Sequence, residues 1–469
     1  MKTRFFATVV VAASVAGCTV GPNYRRPAVS TPTAFRVDSN ATVDSSSLAD
    51  SKWFDVFNDA RLQELIRKAL VQNHDLREAA ARVEAARANL GLTRAEQFPT
   101  IEAGASVTTT RSAANGSFPL PSGVDQTRTF GGASVGLSPF ELDLWGRLRR
   151  ATEAARADLG ASEETRKAVT SVLVADVASA YFNLLELDME LAIARRTLSV
   201  REDSLKLIQS RERGGLGTLL EVRQGEQLVY AAAQVVPNLE QLVEQTENQI
   251  SFLLGGAPGA VPRTRTLTEQ VQPPAVPPGL PSFLLHRRPD ILAAEQNLVA
   301  ANAIIGVAKA AYFPRISLTG LLGFQSNQLS SLFTGPARVW QFVPQATQPI
   351  FTAGRLRSNV KLAEAQQQIA LIQYERTIRA AFREVSDALI HYQKVREIRA
   401  KQEQLVATLR DRSRMSYVRY EGGIDTLLNA LDADRDLFDA ELRLARTTRD
   451  ELVAVVRLYR ALGGGWQIE

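Results

Sequence analysis

The sequence predicts a mixed fold of long coiled-coil α-helices and transmembrane β-strands, in a protomer that uses one structural unit twice. Three observations predict it. First, Asn73–Pro99 returns as Arg288–Pro314, with Asp75/Asp290, Gly91/Gly306, Ala95/Ala310, Phe98/Phe313 and Pro99/Pro314 in register 215 positions apart. Gly146-Arg147-Leu148-Arg149 likewise returns 208 positions on as Gly354-Arg355-Leu356-Arg357, and Leu254-Gly255-Gly256 as Leu462-Gly463-Gly464. Second, the hydrophobic period inside each copy switches from 3.6 to 2 and back. Third, heptad spacing marks the longest segments. A repeat of this length bears on architecture before it bears on chemistry.

In chain order, MKTRFFATVVVAASVAGC opens with Lys2 and Arg4, a short apolar run from Phe5 to Ala16, and small residues before a cysteine. The run is too short to cross about 30 Å of hydrocarbon as a helix, so residues 1–17 read as a secretory signal peptide. Val15-Ala16-Gly17-Cys18 resembles a bacterial lipobox, which makes Cys18 an acylated N-terminus and its lipid, palmitate included, the only group the chain is expected to carry. The other reading is an ordinary leader with a chance cysteine. Cys18 is the single cysteine, so an intramolecular disulfide is excluded. At about 0.8 kcal/mol per buried CH₂, two or three acyl chains hold a protein firmly on a bilayer. Thr19 after the anchor, in place of Asp, favours the outer membrane by the same resemblance. Residues 18–58 follow as an extended arm. No other segment reads as a transmembrane helix, so strands must do any spanning.

The first repeat is expected at 59–256 and the second at 286–464, joined by a Pro-rich linker at 257–285 and followed by a tail at 465–469. Each begins with an alanine-rich helix, Ala60–Gln97 and Pro289–Tyr312, halted by Phe-Pro because proline lacks the backbone donor and restricts the residue before it. Ala79, Ala86, Ala294 and Ala301 suggest close helix packing. Hairpins follow at about 100–138 and 315–350. Ile101, Ala103, Ala105 and Val107 alternate with Glu102, Gly104, Ser106 and Thr108, and Ile316, Leu318, Leu322 and Phe324 alternate with Arg315, Ser317 and Thr319. Alternating strands of about 9–11 residues joined by a long loop match a membrane barrel; a soluble hairpin capping the helices is the alternative. An open four-stranded sheet in lipid would leave edge N–H and C=O groups unsatisfied. Three copies would supply twelve strands. Helical hairpins then occupy about 146–255 and 354–462, with heptad positions at Ile378, Phe382, Val385, Leu389 and Tyr392. An arm of roughly 65 residues is a rod near 100 Å long. Gly214-Gly215 and Gly422-Gly423 close the outgoing helices, and the returning ones start at Thr218 and Thr426.

Composition narrows the function. The net charge of +5 falls to +3 without Lys2 and Arg4, and the charges are interspersed, which argues against nucleic acid. His74, His286 and His391 are scattered, and Gly-Gly-Leu-Gly-Thr lacks the lysine of a phosphate loop. No convergent nucleophile, base or metal set stands out, so the chain reads as a non-enzyme with no metal or cofactor site.

CTVGPNYRRP at Cys18–Pro27, LLHRRPDILAAEQNLVAANAIIGVAKAAYFPRISL at Leu284–Leu318 and YVRYEGGIDTLLNALDADRDLF at Tyr417–Phe438 resemble the TolC/OprM-type outer-membrane factors, in the NodT-like branch of efflux lipoproteins. The resemblance covers nearly the whole mature chain. It implies a homotrimer whose 12-stranded β-barrel is continuous with a periplasmic α-helical barrel, the linker lying in its equatorial region. It also implies a passive, gated duct for drugs or other toxic compounds, fed by a periplasmic adaptor and an inner-membrane pump of the resistance-nodulation-division class. By matching motif, Leu428, Asp432 and Arg435 would form the periplasmic gate; a solvated helix face is the alternative. Leu220, Gln224 and Gln227 stand in the same places of the first copy, so any charged lock comes from the second. The tips Gly214, Gly215, Leu216, Thr218, Gly422, Gly423, Ile424 and Thr426 would dock the adaptor, or would only end helices. The rival class is a tethered coiled-coil lipoprotein without a pore.

Overall fold

Helix, hairpin and helical hairpin follow one another twice in the computed structural model, which describes residues 19–32, 35, 47–113, 121, 123, 125–270 and 281–467. The signal peptide, Cys18, the middle of the linker and much of the first hairpin loop lie outside the described residues. The main helices are α1 (Ala60–Gln72), α2 (His74–Ala95), α3 (Arg147–Arg213), α4 (Leu219–Leu253), α5 (Pro289–Ala310), α6 (Arg355–Glu421) and α7 (Leu427–Ala461). The strands are β1 (Ile101–Arg111), β2 (Thr127–Glu141), β3 (Arg315–Ser326) and β4 (Arg338–Thr347). The duplication survives to the residue: α2 and α5 have 22 residues each, α3 and α6 have 67, and α4 and α7 have 35.

Two sequence expectations are corrected here. The single helix expected over Ala60–Gln97 is two. Asn73 leaves the helical region at ψ 134°, its Oδ1 accepts from Leu76 N at 3.0 Å to start α2, and its Nδ2 donates to the Leu253 carbonyl at 2.9 Å. Second, α3 and α5 each hold a stretch apolar enough to cross a membrane by length and composition. Within the protein 61% of the α3 window and 44% of the α5 window is buried, as expected where such helices pack against neighbours.

The chain divides into two compact units, and each takes pieces of both repeats. One comprises Met1–Ala28, Val83–Ala161 and Ala294–Tyr374; the other comprises Val29–Arg82, Ser162–Ala293 and Glu375–Glu469.

The first unit holds one antiparallel sheet in the order β1-β2-β3-β4, with β1 and β4 as open edges. Its register aligns the alternation of all four strands. Ile101 pairs with Leu137, Leu137 with Gly320 and Gly320 with Phe342; Ala103 pairs with Val135, Val135 with Leu322 and Leu322 with Trp340. Side chains on one face of a strand recur every second residue, so these rows form a continuous apolar face. The opposite face is more polar: it carries Glu102, Ser106, Ser134, Thr319, Gln325 and Gln341, interspersed with Phe130, Leu321, Val339 and Val343. Leu322, Trp340 and Phe342 are exposed on the isolated chain.

Small residues bring α3 and α5 together in this unit, through Ala154 and Ala157 against Ala300 and Ala303. Of the four alanines singled out in the sequence, only Ala79 is fully buried; Ala86, Ala294 and Ala301 lie at the margin of their contacts. The N-terminal segment runs over the α3–α5 contact as a strap. Arg150 Nη2 donates to Asn23 Oδ1 at 2.6 Å, Asn302 Nδ2 to the Pro22 carbonyl at 3.0 Å, and Arg26 pairs with Glu295 at 2.7 Å. Gly306 permits this approach, because a Cβ there would stand 2.8 Å from both the Val20 carbonyl and Arg150 Cγ. Among the described residues nothing covers Gly91 in the first copy; Phe98 is 59% exposed, and Phe313, stacked on Trp145 at 4.8 Å, is less so at 39%. Gly306→Ala is therefore expected to lift the strap and speed tryptic cleavage after Arg25, measured by limited proteolysis; unchanged cleavage would show that the strap is held elsewhere.

Candidate functional site

The two helical tips of the second unit are built alike. At the end of α3, Leu216 N donates to the Arg211 carbonyl at 2.8 Å and Gly215 N to the Glu212 carbonyl at 3.0 Å. At the end of α6, Ile424 N and Gly423 N bond to the Arg419 and Tyr420 carbonyls in the same pattern. This is the glycine-closed Schellman motif. It needs a left-handed residue at Gly215 and Gly423, each with φ 72°, where a Cβ would be strained. The glycines before them, Gly214 and Gly422, are not left-handed. Leu216 and Ile424 project from the turns with 74% and 69% of their surface exposed.

Chemistry separates the tips. In the first, Thr218 caps α4 reciprocally: Glu221 N donates to Thr218 Oγ1 at 3.3 Å, and Thr218 N donates to Glu221 Oε2 at 2.7 Å. In the second, Thr426 makes no side-chain cap. Asp425, at the position of Gly217, takes that role and accepts from Asn429 Nδ2 at 2.7 Å, Thr426 N at 2.8 Å and Arg419 Nε at 3.2 Å. These donors, Asn429 foremost, hold its carboxyl below the usual range.

At the start of α7, Leu427 is buried with Ile208, Val222, Tyr420, Ala430 and Leu431 in the cluster that unites the tips. Its neighbour Leu428 points outward, 53% exposed. Asp432 and Arg435 are also outward and pair along their own helix at 3.2 Å, with Asp436 at 3.9 Å from Arg435. The structure thus puts all three sequence-selected gate residues on the exposed side of α7, and the tip residues at the hairpin ends.

Sequence reasoning missed the buried charges behind them. Arg201 and Asp434 form a pair at 2.7 Å, with side chains 4% and 10% exposed, and Arg201 Nη1 also donates to the Leu228 carbonyl at 3.1 Å. Further along the same antiparallel seam, Arg196 pairs with Glu441, Arg446 with Glu190 at 2.6 Å, and Arg449 with Glu186 at 3.7 Å. On α3 the order is Arg, Arg, Glu, Glu from tip inward; on α7 it is Asp, Glu, Arg, Arg. A slip of one rung either way would set like charges together, so the ladder fixes the register of α7 on α3. The available signal was Glu186 and Glu190 inside the apolar run Tyr181–Ala194.

A sheet with one apolar and one polar face and two open edges, in a chain of paired helical hairpins, defines a protomer of an outer-membrane channel. Residues 65–256 and 280–464 match the family described as Outer membrane efflux protein, and the chain belongs to that family. It is 36% identical over 460 residues to the Cation efflux system protein CusC of Escherichia coli O6:H1, covering 97% of this chain and 98% of that one. It is 38% identical over 464 residues to the Outer membrane protein OprJ of Pseudomonas aeruginosa, covering 98% and 95%. A crystal structure of a membrane protein from Pseudomonas aeruginosa superposes with a TM-score of 0.88 at 37% identity, covering 96% of this chain and 98% of the other. The chain is an outer-membrane efflux duct, and the reading as a spacer without a pore falls with that membership.

The seam makes a stability prediction. Asp434→Leu leaves Arg201 buried without its counter-charge and is expected to cost about 3–5 kcal/mol, whereas Arg201→Met with Asp434→Leu should recover most of it. Denaturant melting of the three proteins checks this; equal losses in the single and double variants would place the cost elsewhere.

Proposed function

We propose that three copies of this chain join edge to edge into a twelve-stranded barrel, continuous with a periplasmic barrel of their helical hairpins, and pass small toxic molecules or drugs outward without doing chemistry on them. The observation that carries this is the sheet: its apolar face suits lipid, its polar face suits a water-filled bore, and its two open edges require partners in hydrocarbon. The uncovered Gly91 surface of the first copy supports the same reading, since its counterpart Gly306 is covered by the strap.

Leu428, Asp432 and Arg435 of three chains would narrow the periplasmic mouth. Threefold Asp432 carboxylates repel unless Arg435 neutralises them, and its guanidinium stands 3.2 Å away. The exposed Leu216 and Ile424 tips, with Gly214, Gly215, Thr218, Gly422, Gly423 and Thr426 shaping them, would receive a periplasmic adaptor. An inner-membrane pump of the resistance-nodulation-division class would supply the energy. Cys18 would carry the lipid; it stands one residue before Thr19, whose side chain lies against Gly146 in the first unit.

Purified protein in detergent is expected to have the mass of three chains and to give discrete conductance in planar bilayers, raised severalfold by Asp432→Ala. A monomer that never conducts in either form would overturn the channel assembly. Intact-mass analysis should find the mature chain starting at an acylated Cys18, and a free thiol there would remove the anchor from the proposal.

A further inference from the structure

Glu186 and Glu190 lie one turn apart on α3 with side chains only 4% and 3% exposed. Carboxylates in such a place need charge partners and hydrogen bonds, and only Glu190 receives both. Arg446 grips Glu190 with both arms, Nε at 2.6 Å and Nη2 at 3.3 Å. Glu186 is left with Arg446 Nε at 4.0 Å and Arg449 Nη1 at 3.7 Å, both beyond hydrogen-bonding reach. Arg449 is occupied elsewhere, donating from Nη1 to Asn183 Oδ1 at 2.6 Å and standing 2.9 Å from Asp450. From α4, Glu240 is engaged by Arg195 and Glu247 by Arg263. Two arginines thus face the two carboxylates, but only Glu190 is hydrogen-bonded to one of them, and Arg449 is shared between Glu186, Asn183 and Asp450.

We infer that Glu186 and Glu190 act as a proton-dependent clasp between α3 and α7: one proton held by the pair keeps the seam shut, and its loss to solvent sets two buried negative charges side by side and loosens α7. Burial, and then the neighbouring Glu190, push the Glu186 carboxyl up to about 7. A carboxyl raised in the folded state stabilises the fold fully below its ordinary value of 4.5, and that contribution is lost as the pH rises through about 7. The clasp therefore tightens on acidification and slackens in mild alkali. Because α7 also carries Leu428, Asp432 and Arg435, the pair would bias the helix that bears the proposed gate.

The test uses the full-length protein in detergent and does not depend on conduction, so it stands or falls apart from the channel proposal. Wild type is expected to melt several degrees higher at pH 6 than at pH 8, and Glu186→Gln, which mimics the protonated form, should abolish that difference. In infrared pH-difference spectra, wild type should show a protonated-carboxyl band lost with a midpoint near 7 that Glu186→Gln lacks. A variant that keeps the wild-type pH dependence, or a wild-type band that titrates in the ordinary carboxylate range, overturns the clasp. Should Glu186→Gln fail to fold, Glu190→Gln serves: it leaves Glu186 without its like-charged neighbour and should lower the midpoint, and an unchanged midpoint again overturns the proposal.

Discussion

Everything in this chain answers to one constraint: a backbone N–H or C=O in hydrocarbon has no water to bond with, so every one must be paired within protein. Four strands satisfy their inner edges and leave β1 and β4 open. The alternation of apolar and polar residues is aligned from β1 through β4, so the sheet as a whole, and not merely each strand, has a lipid face and a water face. A protomer of this kind is incomplete by design. Its exposed Trp340 and Phe342 would be a liability on a soluble monomer and are the expected surface of a membrane wall.

Duplication supplied the body, and divergence supplied the asymmetry. Equal helix lengths and equal Schellman closures show that the backbone plan was kept. Side chains were not. Trp145 stacks on Phe313, but the position matching Trp145 in the second copy is Ala353, so Phe98 has no indole of its own. The strap fills the groove at Gly306 and leaves that at Gly91 open. Asp425 replaces Gly217, and Asp432 and Arg435 stand opposite no charges in the first copy, where Gln224 and Gln227 lie.

The α3–α7 seam shows why buried charge is tolerated in such a body. Apolar heptads alone admit slips along a long helix, because one turn of leucine and alanine packs much like the next. A ladder whose polarity inverts between Arg196–Glu441 and Glu190–Arg446 rejects those slips, since each brings like charges together out of water. Its two ends differ in chemistry: Arg201 and Asp434 are matched one to one, while Glu186 and Glu190 compete for the same arginine.

The sequence by itself determined what is local and periodic. The repeat, the Phe-Pro stops, the alternation of Ile101–Thr108 and the glycine ends of the long helices could all be read from it, because each depends on residues within a few positions of one another. It overextended one helix through Asn73, whose side chain both caps α2 locally and donates to the distant Leu253 carbonyl, a contact no local pattern shows. Tertiary structure alone decided which half of an alternating pattern faces its neighbour in register, that the strap covers only one of two equivalent glycines, and that Arg201 meets Asp434 across 233 positions. The physical reason is that burial and charge pairing are properties of contacts between distant segments: Glu186 has the same sequence neighbours whether it lies in water or, as here, against another carboxylate and two arginines.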